Sequence, residues 1–225
     1  MKKIFATALA VSLLAATTFA QVVINEFSAS NLDQFQDNYQ KYEDWIELYN
    51  TSGSTVNVGG YFLSDNENRP EKWKIPTGTT IPPNGYLLLW CSGRDEVSGG
   101  DYHTNFKLKQ TEDNEEIVLS DPDTLQLDLV PLGRTQLGHS FCRDINGGAS
   151  WVIDTSPTPD ASNGSSGHRD GYAEKPEVNI LGGFYPSAVG VQLANNPANA
   201  TVRYTTDGSL PTNTSPVFPG AMVVS

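Results

Sequence analysis

Side chains that carry oxygen ligands cluster in three loops of this chain, and calcium is the ion that such loops could bind. The loops contain Asp65-Asn66-Glu67-Asn68, Asp121-Pro122-Asp123 and Asp144-Ile145-Asn146-Gly147. A calcium ion needs about six to eight oxygen ligands, and no loop has the Asp-x-Asp-x-Asp-Gly spacing that supplies them. Asp and Asn also favour turns, because their side chains bond to the local backbone. Turns are the favoured interpretation, and no other cofactor is expected. The weak calcium candidates are Asp65, Glu67, Asp121 and Asp123.

Histidine and serine give little support to other metal or hydrolase chemistry. His103, His139 and His168 are scattered without a His-x-x-x-His spacing, and the chain has no Cys-x-x-Cys pair, so a transition-metal site is not expected. His139 and Ser140 are adjacent, but neighbours on a strand point to opposite faces and cannot act as base and nucleophile. A Gly-x-Ser-x-Gly elbow is also missing. We therefore predict that the chain is not an enzyme.

Aromatic rings could offer flat faces to sugars. The larger rings in apparent strands are Trp45, Tyr49, Tyr61, Trp73, Trp90 and Trp151. Most of them are better explained as buried core or strand edges. In one predicted strand, however, Ile46 and Leu48 alternate with three residues that would share the outward face. The predicted surface contacts are Trp45, Glu47 and Tyr49.

These residues must be positioned by strands. Strand-like runs recur about every ten residues across residues 21–154, and clusters of Gly, Pro, Asn and Asp separate them. The turn Pro83-Asn84-Gly85 leads directly into one such apolar run. No helical period of useful length interrupts the pattern. The spacing predicts an all-β fold, a sandwich or barrel.

Composition divides the chain into four segments. Residues 1–20 have the basic start, short apolar run and small residues of a secretory signal peptide, cut before Gln21. Residues 21–155 form the predicted sandwich domain, and residues 156–171 form a linker rich in Pro, Gly and Ser. Residues 172–225 contain further strand-like runs and the turn dipeptide Asp207-Gly208. We expect a protein that is secreted or held at the cell surface.

Charge and hydropathy limit the partners. The apolar run near the start is shorter than the ~20 residues that cross a bilayer, so no membrane span is predicted. The formal net charge is −12, and it becomes −14 when Lys2 and Lys3 leave with the signal. This excess of carboxylates argues against nucleic acid as a partner, because binding phosphates needs clustered Lys and Arg. Cations or basic surfaces suit it better, although an acidic surface can also serve solubility alone.

Cys91 and Cys142 are the only two cysteines, and both lie in apparent strands of the first domain. Export places them in an oxidising compartment, which favours a disulfide. Closing a loop of about 50 residues would stabilise the fold by roughly 4 kcal/mol. The alternative is two unpaired thiols, because the sequence does not determine the distance between their Cα atoms.

Particular segments of the first domain closely resemble the bacterial lamin-tail family. They are Val23-Ile24-Asn25-Glu26-Phe27, residues 44–50, 60–65, 81–90, 105–108 and 117–121, Trp151, and residues 156–164. The resemblance covers roughly residues 22–164. It implies an immunoglobulin-like β-sandwich of secreted and surface proteins, usually an accessory module without catalytic residues. The residues that match the motif of the family, and that we interpret as structural, are Asn25, Glu26, Asp44 and Glu47.

The last segment resembles the C-terminal module of chitobiases and β-hexosaminidases. Its most specific signature is carried by residues 204–212, which read Tyr-Thr-Thr-Asp-Gly-Ser-Leu-Pro-Thr. The resemblance implies a second, smaller immunoglobulin-like sandwich. The chain stops before the last strands of that module, so we expect it to be truncated and to represent the N-terminal part of a larger protein.

The function that these observations favour is a secreted, non-catalytic module for binding, adhesion or scaffolding. Its partner would be a surface, a protein or a polysaccharide. Two alternatives stay open. One is a dedicated carbohydrate-binding module, and the other is a small acidic exported hydrolase that depends on calcium bound at the Asp65 or Asp121 loops.

Overall fold

The computed structural model describes residues 20–110, 115–164, 166–195 and 200–224, and every regular element within these ranges is a strand. The predicted signal peptide lies outside the described residues except for Ala20. The chain divides into two compact units, one through Asp170 and one from Gly171. Among the described residues, no helix is long and apolar enough to cross a membrane. The prediction of an all-β fold is confirmed.

The strands follow one another in chain order. They are β1 (Val22–Ser28), β2 (Trp45–Asn50), β3 (Val56–Asn57), β4 (Phe62–Ser64), β5 (Trp73–Lys74), β6 (Thr80–Ile81), β7 (Tyr86–Trp90), β8 (Glu96–Ser98), β9 (Asp101–His103), β10 (Glu116–Ser120), β11 (Gln126–Pro131), β12 (Ser140–Arg143), β13 (Trp151–Asp154), β14 (His168–Arg169), β15 (Val189–Gln192) and β16 (Ala221–Val224).

Two main sheets form the first unit. The larger has the order β14-β13-β12-β1-β2-β7-β9-β8, and the smaller has the order β11-β10-β4-β5. All neighbouring strands are antiparallel except β7 and β9. Strands β3 and β6 form a separate short ladder. This arrangement gives a two-layer sandwich whose long central strands, β1 and β2, lie in the larger sheet.

The core lies between these two sheets. Ile24, Ile46 and Leu48 of the larger sheet belong to the same buried apolar cluster as Leu63 and Leu119 of the smaller sheet. Such interdigitated inner faces are the main source of stability in a β-sandwich. Strand β2 is unusual because all six of its residues are buried. Both of its faces are therefore covered, although only one faces the other sheet.

A β-bulge in β1 changes which side chains reach the outer face. Ile24 pairs with Leu48, yet Glu26 pairs with Glu47, so Asn25 is the extra residue between them. Ile24 and Phe27 both face the core, and Asn25 and Glu26 together occupy the outer face. The backbone of Ile24 bonds to two side chains from other strands. The Arg143 Nε donates to the Ile24 carbonyl (2.7 Å), and the Ile24 N–H donates to Asp128 Oδ2 (2.9 Å).

The predicted disulfide is not present, because Cys91 and Cys142 are free buried thiols. Cys91 follows β7 and faces the core, whereas Cys142 lies opposite Glu26 on the outer face. Strands β7 and β12 are separated by β1 and β2, a distance of about 14 Å at the usual strand spacing. A disulfide needs Cα atoms within about 7 Å. The structure therefore corrects this prediction and favours the two unpaired thiols.

The second unit is much less tightly built. Strands β15 and β16 pair from Val189 with Val224 to Gln192 with Ala221, and isolated bridges join Val178 to Leu193 and Arg203 to Val217. Large apolar side chains stay exposed there, including Leu181, Phe184, Leu210 and Val223. A unit of this size can bury only a small core.

The central role of β2 can be tested with a matched pair of leucines. Leu48→Ala should lower the free energy of unfolding of the first unit by about 2–5 kcal/mol, because it leaves a cavity between the sheets. Leu125→Ala, at a side chain that is 65% exposed, should change it by less than about 0.5 kcal/mol. All four tryptophans lie in the first unit, so urea unfolding followed by tryptophan fluorescence measures this unit alone. Equal effects of the two substitutions would contradict the assigned core.

Candidate functional site

Two carboxyl groups lie side by side on the outer face of the larger sheet. Glu26 of β1 and Glu47 of β2 are direct partners across the ladder, and neither side chain has any exposed surface. A buried charge is costly unless hydrogen bonds or protonation compensate it. The contacts of these two groups therefore decide what this face can do.

Glu26 accepts hydrogen bonds at both oxygens. The Ser140 Oγ and the Thr158 N–H donate to its Oε1 at 2.6 and 3.0 Å, and the Thr158 Oγ donates to its Oε2 at 2.9 Å. Ser140 lies in β12, but Thr158 belongs to the segment predicted as a linker. Glu26 thus attaches that segment to the sheet.

Glu47 repeats the arrangement one strand further. The Asn25 Nδ2 donates to its Oε1 at 2.9 Å, and the Asp160 N–H donates to its Oε2 at 2.6 Å. Asp160 has a positive φ of 62°, a conformation that Asp tolerates better than most residues. The turn at Asp160 therefore directs its own N–H onto the Glu47 carboxyl.

Asparagine side chains close the same face. Asn163 Nδ2 donates to the Arg143 carbonyl (2.7 Å), and Asn163 N–H donates to Asn146 Oδ1 (2.9 Å). The bulged Asn25 accepts from the Gly147 N–H at its Oδ1 (3.0 Å), and its Nδ2 donates to Asn163 Oδ1 (3.1 Å). Residues 158–163 therefore cover the outer face of β1 and β2 as part of the first unit. We call this covered group the carboxyl cluster, composed of Asn25, Glu26, Glu47, Thr158 and Asp160.

Burial controls the protonation of this cluster. Desolvation, followed by the nearby Glu26 charge, raises the pKa of the Glu47 carboxyl to about 8 despite the hydrogen bond from Asn25. Desolvation also raises the pKa of Glu26. The pair consequently retains a proton near neutral pH. A carboxyl with such a pKa could act as a general acid, but no substrate can reach either group beneath residues 158–163.

The predicted surface contacts are wrong, because all three residues are buried. Trp45 and Glu47 have no exposed surface, and Tyr49 is 9% exposed. Phe35 packs edge-on against Trp45 at 6.2 Å between ring centroids, and Tyr86 packs against Tyr49 at 5.2 Å. Alternation along β2 correctly separates its two faces, but it does not show that Phe35, Tyr86 and residues 158–163 cover the second face.

The weak calcium candidates are not brought together into a metal group within the described part of the chain. Asp65 pairs with Lys72. Asp121 Oδ1 accepts from the N–H groups of Asp123 and Leu125, both at 2.9 Å. Glu67 and Asp123 are exposed. The loop oxygens of Asp121 are therefore engaged in a turn, as the favoured interpretation expects.

Asp44, the remaining motif residue, also has a structural position. Its Oδ1 accepts from the Asn31 N–H at 3.4 Å, and its carbonyl accepts from the Cys91 N–H at 2.7 Å. Desolvation raises the pKa of its carboxyl to about 6. These contacts connect the start of β2 to the end of β7 and to the loop after β1.

A serine–histidine pair that the sequence reasoning missed lies at the edge of the larger sheet. Ser92 Oγ is 3.0 Å from His103 Nδ1, and His103 Nε2 is 2.9 Å from Asn38 Oδ1. Because the Asn38 oxygen can only accept, Nε2 carries the proton and Nδ1 accepts from Ser92. A serine activated by histidine is a nucleophile in many hydrolases. Here His103 is completely buried and Ser92 is 6% exposed, so the pair holds the loop at Asn38 in place.

The protonation of Glu47 makes stability depend on pH. The folded state keeps a proton that an unfolded carboxyl loses near its ordinary pKa of 4.5, so the free energy of unfolding should fall as pH rises from about 5 to 8. Glu47→Gln stays neutral at every pH and should remove much of this fall, up to about 3 kcal/mol, since one pKa unit corresponds to about 1.4 kcal/mol. Urea unfolding at both pH values measures the difference.

Glu67→Gln, at an exposed position, is the matched control and should leave the pH dependence unchanged. If wild type and Glu47→Gln lost stability equally between pH 5 and pH 8, Glu47 would be ionised in the folded protein, and the proposed protonation would be wrong.

Comparison with known proteins agrees with this structural interpretation. The lamin tail domain family matches residues 15–134, and the chitobiase/β-hexosaminidase C-terminal domain family matches residues 180–225. Both are non-catalytic immunoglobulin-like domains, which confirms the predicted fold of each unit and the order of the two. No curated protein matches the chain. Since the first match covers more than half of its residues, the chain belongs to the lamin tail domain family.

Proposed function

We propose that this chain is an exported, non-catalytic module that offers a rigid β-sandwich for binding or scaffolding. The observation that carries this proposal is the carboxyl cluster. Burial raises the pKa of both of its carboxyl groups, yet their hydrogen bonds go to the chain's own residues 158 and 160. Their role is to hold the sandwich together, and the remaining function lies on the surface.

Export is supported by the first 20 residues, which have the pattern of a signal peptide. Residues 21–155 and 172–225 would then be the two mature domains. Residues 158–163 contact the sheet of the first domain, and β14 extends that sheet, so most of the segment 156–171 would belong to the first domain. The negative charge of the mature chain directs it toward basic surfaces or neutral glycans and away from nucleic acid.

One feature of the second unit favours a polysaccharide as the ligand. Phe184 and Tyr185 are exposed and line a cavity of about 440 Å³ together with Pro186 and Val189. Exposed aromatic rings beside a shallow cavity can stack on sugar rings. The rings of β2, in contrast, are buried and cannot take part.

Retention on insoluble glycans tests this ligand. The wild-type chain should be retained on chitin or cell-wall glycan, and Phe184→Ala and Tyr185→Ala should each reduce the retained fraction several-fold, because stacking area is lost. Leu210→Ala is the matched control, since Leu210 is an exposed apolar residue of the same unit. Equal retention of all variants, or no retention of the wild type on a broad panel, would remove polysaccharide and leave a protein surface as the partner.

Calcium titration separates this proposal from the hydrolase alternative. The melting temperature should not change on adding calcium, because Asp65 is paired with Lys72 and Asp121 caps its own turn. A rise of several degrees that Asp65→Ala and Asp121→Ala abolish would instead support a calcium-dependent protein.

A further inference from the structure

Three potential metal ligands of different chemistry meet on the outer face of the larger sheet, beside the carboxyl cluster. Asp154 of β13 lies directly opposite His168 of β14. Asp154 also lies opposite Ser140 of β12, and Cys142 is two residues further along β12, so it shares this face. The ligand atoms of Cys142, Asp154 and His168 all lie within 4.8 Å of one another.

The distances suit a tetrahedral ion. Cys142 Sγ is 3.5 Å from His168 Nε2, and Asp154 Oδ2 is 3.8 Å from the same nitrogen. Zinc bonds of about 2.0–2.3 Å at tetrahedral angles place neighbouring ligand atoms about 3.3–3.6 Å apart. The sulfur and nitrogen already have this separation, and Asp154 Oδ2 is only a few tenths of an ångström further from the nitrogen than this range.

Neighbouring groups orient two of the three ligands. His168 Nδ1 is 3.2 Å from Asp144 Oδ1, so the Nδ1–H group can donate a hydrogen bond to that carboxylate. In this tautomer the lone pair of Nε2 faces Cys142. A carboxylate behind a ligating histidine is the usual outer partner in zinc sites. Asp154 Oδ1 accepts from the Ser156 N–H at 2.8 Å, which leaves Oδ2 facing the imidazole. Cys142 and Asp154 are buried, and His168 is half-buried.

We propose that Cys142, Asp154 and His168 form a binding site for a Zn²⁺-type transition-metal ion, with the fourth coordination position open to water. Thiolate, imidazole and carboxylate together match a borderline-soft divalent ion and are a poor match for calcium, which takes oxygen ligands. This proposal departs from the expectation of no transition-metal site. That expectation considered short spacings along the chain, whereas these ligands come from three adjacent strands.

The groups that surround the imidazole are acidic. The Asp144 and Asp154 carboxylates lie 3.2 and 3.8 Å from the two ring nitrogens of His168. A divalent cation at the site would compensate their negative charge. Binding of the dication forms the metal–sulfur bond as the S–H bond breaks, and the proton leaves to solvent.

Cobalt titration of the purified full chain under reducing conditions tests the site. One equivalent of Co²⁺ should produce thiolate-to-cobalt charge-transfer absorption and the strong visible absorption of four-coordinate cobalt, and Zn²⁺ should abolish both. Cys142→Ser should lose the charge-transfer absorption, and His168→Ala should lose the four-coordinate spectrum. Asp144→Asn should weaken binding by about tenfold, because it removes the carboxylate behind the ligand.

Matched controls are available at the other cysteine and at another histidine. Cys91→Ala and His139→Gln should retain the full spectrum, and circular dichroism should show that every variant is folded. Zinc should also raise the melting temperature of the wild type and leave that of His168→Ala unchanged. The proposal is overturned if the folded wild type gives no charge-transfer absorption, or if that absorption persists in Cys142→Ser.

Discussion

Two carboxyl groups buried opposite each other on the central strands are the constraint on which the first unit depends. Glu26 and Glu47 are removed from water on the outer face of the sheet, so each must be hydrogen-bonded, protonated or both. The donors come from β12, from the bulged Asn25 and from residues 158 and 160. A segment more than 100 residues away in the chain is thereby fixed on the sheet.

The bulge in β1 makes this arrangement possible. In a regular strand Asn25 and Glu26 would point to opposite faces, and one of them would enter the apolar core. The extra residue lets both reach the outer face while Ile24 and Phe27 stay inside. Beside the bulge, the backbone of Ile24 bonds to Arg143 and Asp128. Because Asp128 belongs to β11, the smaller and larger sheets are also joined at this point.

Polar groups continue along the same face toward the edge of the sheet. From Glu47 through Glu26 and Cys142 to Asp154 and His168, neighbouring strands place acids, a thiol and an imidazole in one row. The central part of the row is covered by the chain itself and is structural. The edge of the row contains ligand atoms that face one another, and this is where an ion can compensate the accumulated negative charge. The central part of this face is therefore closed by residues 158–163, whereas the proposed metal ligands lie toward the edge of the sheet.

The sequence by itself determined the fold class, because the alternation of apolar residues and the turn residues between strands are local properties. Asn84, for example, has the positive φ of 51° that its turn requires. Motif residues also identified the family. Tertiary structure alone decided which faces are covered. It buried Trp45 beside Phe35, Glu47 under residues 158–163 and Tyr49 beside Tyr86. It also separated Cys91 from Cys142 by two strands and brought Cys142 to Asp154 and His168. Contacts between strands depend on their order in the sheet, which local periodicity does not contain. The spacing of Ile24 and Phe27, both inward but three residues apart, was the one local signal of the bulge.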